Sequence, residues 1–230
     1  MNRKNTLYLY KLIMFLLLTI FLDTGCRERK NFQDKSNTIV NIRERDSTFL
    51  FDGKTLEGWQ ITDFGTQGPV YVSGERIILG MGDGCTGITW QKSFPAVNYE
   101  VSLDAMRIDG NDFFCGMTFP AGSEYCTLIV GGWAGPVVGL SVIDGLDASE
   151  NSTRTYHKFN SDQWYNIRLQ VMENQIKAWI DSAMVIDFVI DKKTLTVRPE
   201  VELSKPFGIA SWMTTAALRN IQVRDILIQN

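Results

Sequence analysis

From Thr48 onward this chain alternates apolar and polar residues with a period of two, a pattern that only strands with one buried face can satisfy. Tyr99, Val101, Leu103 and Ala105 alternate with Glu100, Ser102, Asp104 and Met106. Tyr165, Ile167, Leu169 and Val171 alternate with Asn166, Arg168 and Gln170. Ile176, Ala178 and Ile180 then lead to an Asp181-Ser182 turn and a return strand over residues 185–189. Residues 113–119 and 126–130 are near-continuous apolar runs separated by Pro120-Ala121-Gly122-Ser123, which predicts a hairpin buried on both faces. Gly, Pro, Asn and Asp punctuate the strands, and no long segment carries a helical stripe. The expected fold is all-β, a jelly-roll sandwich. At 44% hydrophobic and 11% aromatic content, 230 residues suffice for one well-buried core.

The first 25 residues read as an export signal of the lipoprotein type. Arg3, Lys4 and Lys11 make a basic start, and residues 12–22 are almost purely apolar. That run is shorter than the roughly 20 residues a membrane span needs and matches a signal core. Leu22-Asp23-Thr24-Gly25-Cys26 resembles a lipobox, with Asp23 where an aliphatic residue is usual. Lipidation at Cys26 is therefore expected, an ordinary cleaved signal or an uncleaved anchor being the alternatives. No acidic tag follows Cys26, which points to the periplasmic face of the membrane. Residues 26–47 carry mixed charge and few apolar groups, the composition of a flexible tether, with a first strand through Thr38-Ile39-Val40-Asn41-Ile42 as the other reading. The folded domain is expected over residues 48–230. A net charge of −3 and a pI near 5.3 give no basic footprint for nucleic acid.

Three cysteines remain in the domain, Cys85, Cys115 and Cys126. Cys115 and Cys126 would face each other if Pro120-Ala121 formed the hairpin tip, and an exported protein permits that bond. Otherwise all three are buried thiols. No G-x-S-x-G elbow, phosphate loop or dinucleotide fingerprint is present.

Three stretches carry a family resemblance: Leu50-Phe51-Asp52-Gly53-Lys54-Thr55-Leu56-Glu57-Gly58-Trp59; Asp162-Gln163-Trp164-Tyr165-Asn166-Ile167-Arg168 with Ile176 to Asp181; and Phe207-Gly208-Ile209-Ala210-Ser211-Trp212 with Leu218-Arg219-Asn220-Ile221. Together they resemble the DUF1080 family, the 3-keto-disaccharide hydrolase domain. The resemblance implies a concanavalin-like sandwich. The chain departs from the family in its middle. It keeps Gly110-Asn111-Asp112 but lacks the family's Arg in residues 116–119 and its acidic-x-Gln pair in residues 127–130. In their place stand Gly131 to Pro136 and Asp144 to Arg154.

The activity so implied is cleavage of 3-keto glycosides. A base removes the acidified proton at sugar carbon 2, a cation or hydrogen-bond donor stabilises the enolate, the bond at carbon 1 breaks by elimination, and water adds. The alternative is a carbohydrate-binding, lectin-like lipoprotein without catalysis. Candidate catalytic residues are His157, the only histidine, with Asp112, Asp144 and Arg107. Candidate substrate contacts are Trp133 and Trp212, whose indole faces suit a pyranose, with Arg154, Asp147 and Glu150. Asp112, Asp144, Asp147 and Glu150 lie in Gly-rich turns, so a divalent cation such as calcium is a further expectation beside the plainer reading of turn carboxylates. Trp59, Trp164 and Trp179 stand at motif positions that suit core or turn-cap roles, and Trp90 is open.

Overall fold

The computed structural model describes residues 47–228 together with the backbone of 42–44. The signal segment 1–25, Cys26 and most of the expected tether lie outside the described residues. Two antiparallel sheets make a sandwich. The larger runs through β14 (Ala183–Val189), β13 (Gln175–Ile180), β12 (Trp164–Val171), β7 (Tyr99–Gly110), β16 (Thr214–Ile228), β5 (Ile77–Leu79) and β4 (Val70–Val72). Short β1 (Ile42–Glu44) and β2 (Thr48–Phe49) also pair with β16. β1 thus lies within the stretch read as tether. The second sheet has the order β11 (Thr155–Tyr156), β10 (Val137–Ser141), β9 (Glu124–Gly132), β8 (Cys115–Ala121), β15 (Gly208–Trp212), β6 (Cys85–Trp90) and β3 (Trp59–Ile61).

The alternation read from sequence is the one that builds the core. Tyr99, Val101, Leu103 and Ala105 are fully buried, as are Ile167, Leu169, Val171, Ile176 and Ala178, and they meet Met117, Phe119, Leu128 and Val130 of the second sheet. Each buried Val, Leu, Ile, Phe or Met among them contributes about 1.5 to 3 kcal/mol by leaving water.

The opening signature is a structural clasp. Leu50 and Phe51 are buried. Asp52 Oδ1 accepts from the N–H groups of Lys54 and Thr55, both at 2.7 Å, closing an Asx turn that needs Gly53 at φ 78°. Trp59 returns to the start of the run, its Nε1 donating to the Leu50 carbonyl at 2.7 Å while its ring meets Trp90 edge-on at 5.1 Å. Trp164 and Trp179, expected in core or turn-cap roles, instead sit half-buried on the outer face of the large sheet under Arg219 and Arg168, each guanidinium 4.1 Å from a ring centroid.

The β8–β9 hairpin is buried on both faces, as expected, but its tip lies further on. Ala121 pairs with Glu124, so Gly122 and Ser123 make the turn and Pro120 stays in the ladder opposite Tyr125. Cys115 therefore faces Val130 and Cys126 faces Phe119. The register rules out a Cys115–Cys126 disulfide, and all three domain cysteines are buried free thiols.

The outer face of the second sheet is covered by the segment between β14 and β15, which includes a short 3-10 helix, Pro199–Ser204. Val142 and Thr196 exchange backbone hydrogen bonds at 2.8 and 3.1 Å, and Thr89 Oγ1 donates to the Leu203 carbonyl at 3.0 Å. Small residues make room for this crossing: a Cβ on Gly208 would come within 2.6 Å of the Ser204 carbonyl oxygen.

Candidate functional site

Where the crossing segment leaves the sheet uncovered, a cleft of about 180 Å³ opens on the outer face of β6, β9 and β15. The strand residues Cys85, Thr127, Ile129 and Ser141 line it together with Phe113, Trp133 and Trp212 and with Arg198, Glu200 and Val201 of the crossing segment. Trp133 is held by unusual backbone: Trp133, Ala134 and Gly135 have φ of 50°, 63° and 115°, a run of left-handed residues that turns the indole outward from the end of β9. Trp212 ends β15, its N–H donating to the Phe113 carbonyl at 3.0 Å.

Asp112 lines the cleft and fastens its loops. Its Oδ1 accepts from the N–H of Phe113 at 2.7 Å and its Oδ2 from the N–H of Ala134 at 3.3 Å. In the crossing segment, Arg198 forms a double hydrogen bond with Glu200, at 3.2 and 3.0 Å, and a third bond to Asp147 Oδ2 at 2.5 Å. Asp147 in turn accepts from Ser141 Oγ at 3.1 Å. The hydrogen bond from Arg198 holds the Glu200 carboxyl below its ordinary range, while Glu200 raises Arg198. The cleft thus presents three aromatic rings beside an ionised, forked ion pair.

Arg107 and His157 lie on the far side of the Gly131 to Pro136 loop, in a neighbouring hollow with Tyr156, Lys158 and Phe159. Arg107 falls in the inward phase of β7 and is buried. Its Nη2 donates to the carbonyls of Asp112, Gly131 and Gly135 at 3.1, 3.2 and 3.4 Å. Burial pushes its pKa down, with the charge of Asp112 opposing. Gly131, at φ 84°, permits this approach, since a Cβ there would lie 2.7 Å from Nη2. The His157 ring packs on Phe159 at 4.6 Å and edge-on to Tyr165 at 5.9 Å.

The remaining expected residues scatter. Asp144 is exposed in a two-residue turn closed by Ile143 and Leu146, and it pairs with Lys193 at 2.7 Å. Glu150 reaches back to the N–H of Asp147 at 3.4 Å. Arg154 donates to the Ser149 carbonyl at 2.7 Å and lies over the Tyr156 ring. Among the described residues no three His, Cys, Asp or Glu side chains gather as a metal ion would require, and the turn carboxylates are engaged apart from one another, Asp144 by Lys193 and Asp147 by Arg198.

The structure therefore brings together Asp112, Trp133, Trp212 and, through Arg198, Asp147. It adds two residues that the sequence reading passed over, Arg198 and Glu200. The available signal was the stretch from Asp191 to Pro206, too long for a hairpin link and without alternation, which marks a segment with a task of its own.

Among solved structures, a Bacillus subtilis protein with a galectin-like fold superposes with a TM-score of 0.60 at 13% identity, over 82% of this chain and all of that one. The carbohydrate-binding module CBM66 from Bacillus subtilis gives 0.53 at 16% identity, over 77% and 100%. The Crh5 transglycosylase in complex with NAG gives 0.53 at 14%, over 81% and 85%. At such identities these likenesses establish the sandwich alone. No curated protein matches the sequence. A family model does, across residues 46–224, from the Leu50 clasp to the last strand, and the chain accordingly belongs to the family of 3-keto-alpha-glucoside-1,2-lyase-like domains.

Proposed function

We propose that the cleft lined by Trp133 and Trp212 binds a carbohydrate. The observation that carries this reading is that two tryptophans and the Arg198–Glu200 pair line one cleft. An indole face stacks on the apolar face of a pyranose, and a bidentate Arg–carboxylate pair offers hydroxyl groups both donors and acceptors in fixed positions. With its pKa held down, Glu200 is a carboxylate at neutral pH, suited to accepting from sugar hydroxyls. The sandwich is shared with a carbohydrate-binding module and with a transglycosylase in complex with NAG, which supports the same class of ligand. The test is calorimetric titration with glucose, glucosides and disaccharides. Trp212→Ala and Trp133→Ala are each expected to weaken binding at least tenfold, and equal affinity in both variants would refute the assignment.

Family membership favours a second reading, in which the same cleft cleaves 3-keto glycosides by elimination. Asp112 or Glu200 would take the proton from carbon 2, and Arg198 would neutralise the enolate oxygen. The depressed pKa of Glu200 makes it a weak base, which is why binding is the leading reading. Incubation with a 3-keto-glucoside, with and without chelator, separates the two. Aglycone release that Glu200→Gln abolishes supports cleavage, a chelator effect adds a divalent cation to it, and sugar affinity without release leaves binding alone.

Export and lipid anchoring at Cys26 belong to this proposal. Cys26→Ala is expected to leave the protein soluble, and membrane retention of that variant would refute the anchor.

A further inference from the structure

The hollow beside the cleft has a different chemistry. Arg107, His157 and Lys158 contribute to its lining, with Tyr156, Phe159 and the Ala134 to Pro136 backbone; no Asp or Glu does. It measures about 450 Å³, large enough for a monosaccharide. Arg107 is only 6% exposed, and its three hydrogen bonds all leave from Nη2 toward main-chain carbonyls. Its Nε is buried with no partner. Among the described residues no carboxylate forms an ion pair with this guanidinium, and Asp112 reaches it only as a nearby charge. A buried cation with no counterion is unfavourable, and buried charges are ordinarily paired. Here the compensation is carbonyl dipoles and the face of the Phe114 ring, whose centroid is 5.2 Å from the guanidinium carbon, and Arg107 shares the lining of the hollow with His157 and Lys158. Tyr156, 64% exposed, provides an aromatic wall at the same opening.

We infer that this hollow is a second ligand site, selective for a carboxylate or sulfate group carried on a sugar, with Arg107 at its base, His157 and Lys158 at its rim and Tyr156 stacking on the ring. The assignment does not rest on sugar binding in the cleft. Arg107 serves two ends, splinting the Trp133 loop through its carbonyl contacts and presenting positive charge to the hollow. The Gly131 to Pro136 loop separates the two sites, with Trp133 toward the cleft and Ala134 to Pro136 toward the hollow.

His157 is the only histidine, so in untagged protein its imidazole protons form a single reporter inside the hollow. The experiment titrates glucuronate, inorganic sulfate and glucose against that resonance at fixed pH and ionic strength. Glucuronate is expected to shift it saturably and glucose not at all. Lys158→Ala is expected to weaken glucuronate about fivefold to tenfold and Tyr156→Ala by a similar factor, while Trp212→Ala leaves it unchanged. Sulfate competing with glucuronate for the same shift supports recognition of the anionic group itself. Sulfate binding that Tyr156→Ala leaves untouched, with no response to glucuronate, would show a site for free anions and overturn the sugar assignment. Equal responses to glucose and glucuronate, or a glucuronate response insensitive to Lys158→Ala, would overturn the anion selectivity. Loss of the response in Trp212→Ala would return the ligand to the cleft.

Discussion

Asp112 and Ala134, 22 residues apart, are joined by a carboxylate-to-amide hydrogen bond of 3.3 Å that ties the β7–β8 loop to the turn presenting Trp133. The same carboxylate caps the N–H of Phe113, so one side chain sets two walls of the cleft. Asp112→Asn keeps the size but leaves one acceptor where there were two. The expected outcome is a loss of about 0.5 to 1.5 kcal/mol in stability and a severalfold loss of sugar affinity, read by urea unfolding and calorimetry. Full affinity in this variant would mean that the loop holds Trp133 without its tether.

Arg198 is expected to control the acid limit of the fold. Glu200 in the folded chain sits below its ordinary value of 4.5, so between the two values the unfolded chain binds more protons. The stabilisation is therefore fully present above about pH 4.5 and lost as pH falls through the depressed folded value. Asp144, lowered first by its hydrogen bond from Lys193, acts in the same direction. Arg198→Met should flatten this acid dependence in chemical denaturation followed from pH 7 to 3, and an unchanged slope would assign the dependence to other carboxylates.

The cysteines should resist modification. Burial pushes the thiols of Cys85, Cys115 and Cys126 up to about 12, which leaves on the order of one thiolate in ten thousand at pH 8. In the isolated domain, alkylation by iodoacetamide is expected only after denaturation, when three sites appear by mass. Selective labelling of Cys85 in native protein would show that the cleft lining opens.

The Leu50 to Trp59 clasp should be intolerant at two points. Trp59→Phe leaves the Leu50 carbonyl without its donor and is expected to cost about 1 to 3 kcal/mol. Gly58→Ala brings a Cβ within 2.6 Å of the Trp90 ring at a backbone φ of 82°, so strain and overlap add, and the loss should be larger. Thermal unfolding of both variants checks the order.

The legible part of the fold is the part governed by local periodicity. Tyr99 to Ala105 and Tyr165 to Val171 showed their inward faces because a strand exposes alternate residues whatever it pairs with. The hairpin tip was not legible from Pro120. A proline reads as a turn residue, yet here it sits in the ladder opposite Tyr125 while its carbonyl accepts from Tyr99 Oη at 2.6 Å. With the tip two residues further on, Cys115 pairs with Val130, four residues past Cys126, and the two thiols do not meet.

The candidate site divides in the same way. Trp133 and Trp212 stood out because glycines and a strand end surround them, features visible in a short window. His157, Asp144, Glu150 and Arg154 stood out equally, as chemically capable side chains. Their separation follows from the paths of β10, β11 and the turns between them.

The sequence by itself thus determined an all-β sandwich, its core faces and its family, since these depend on alternation and on motifs within a few residues. Tertiary structure alone decided the partners. The segment from Asp191 to Pro206 had to cross the second sheet before Arg198 could meet Asp147, 51 residues earlier in the chain, and the end of β7 had to lie beneath the Gly131 loop before Arg107 could face a hollow. Such contacts join residues with no shared local pattern, and the packing of the whole sandwich is what selects them.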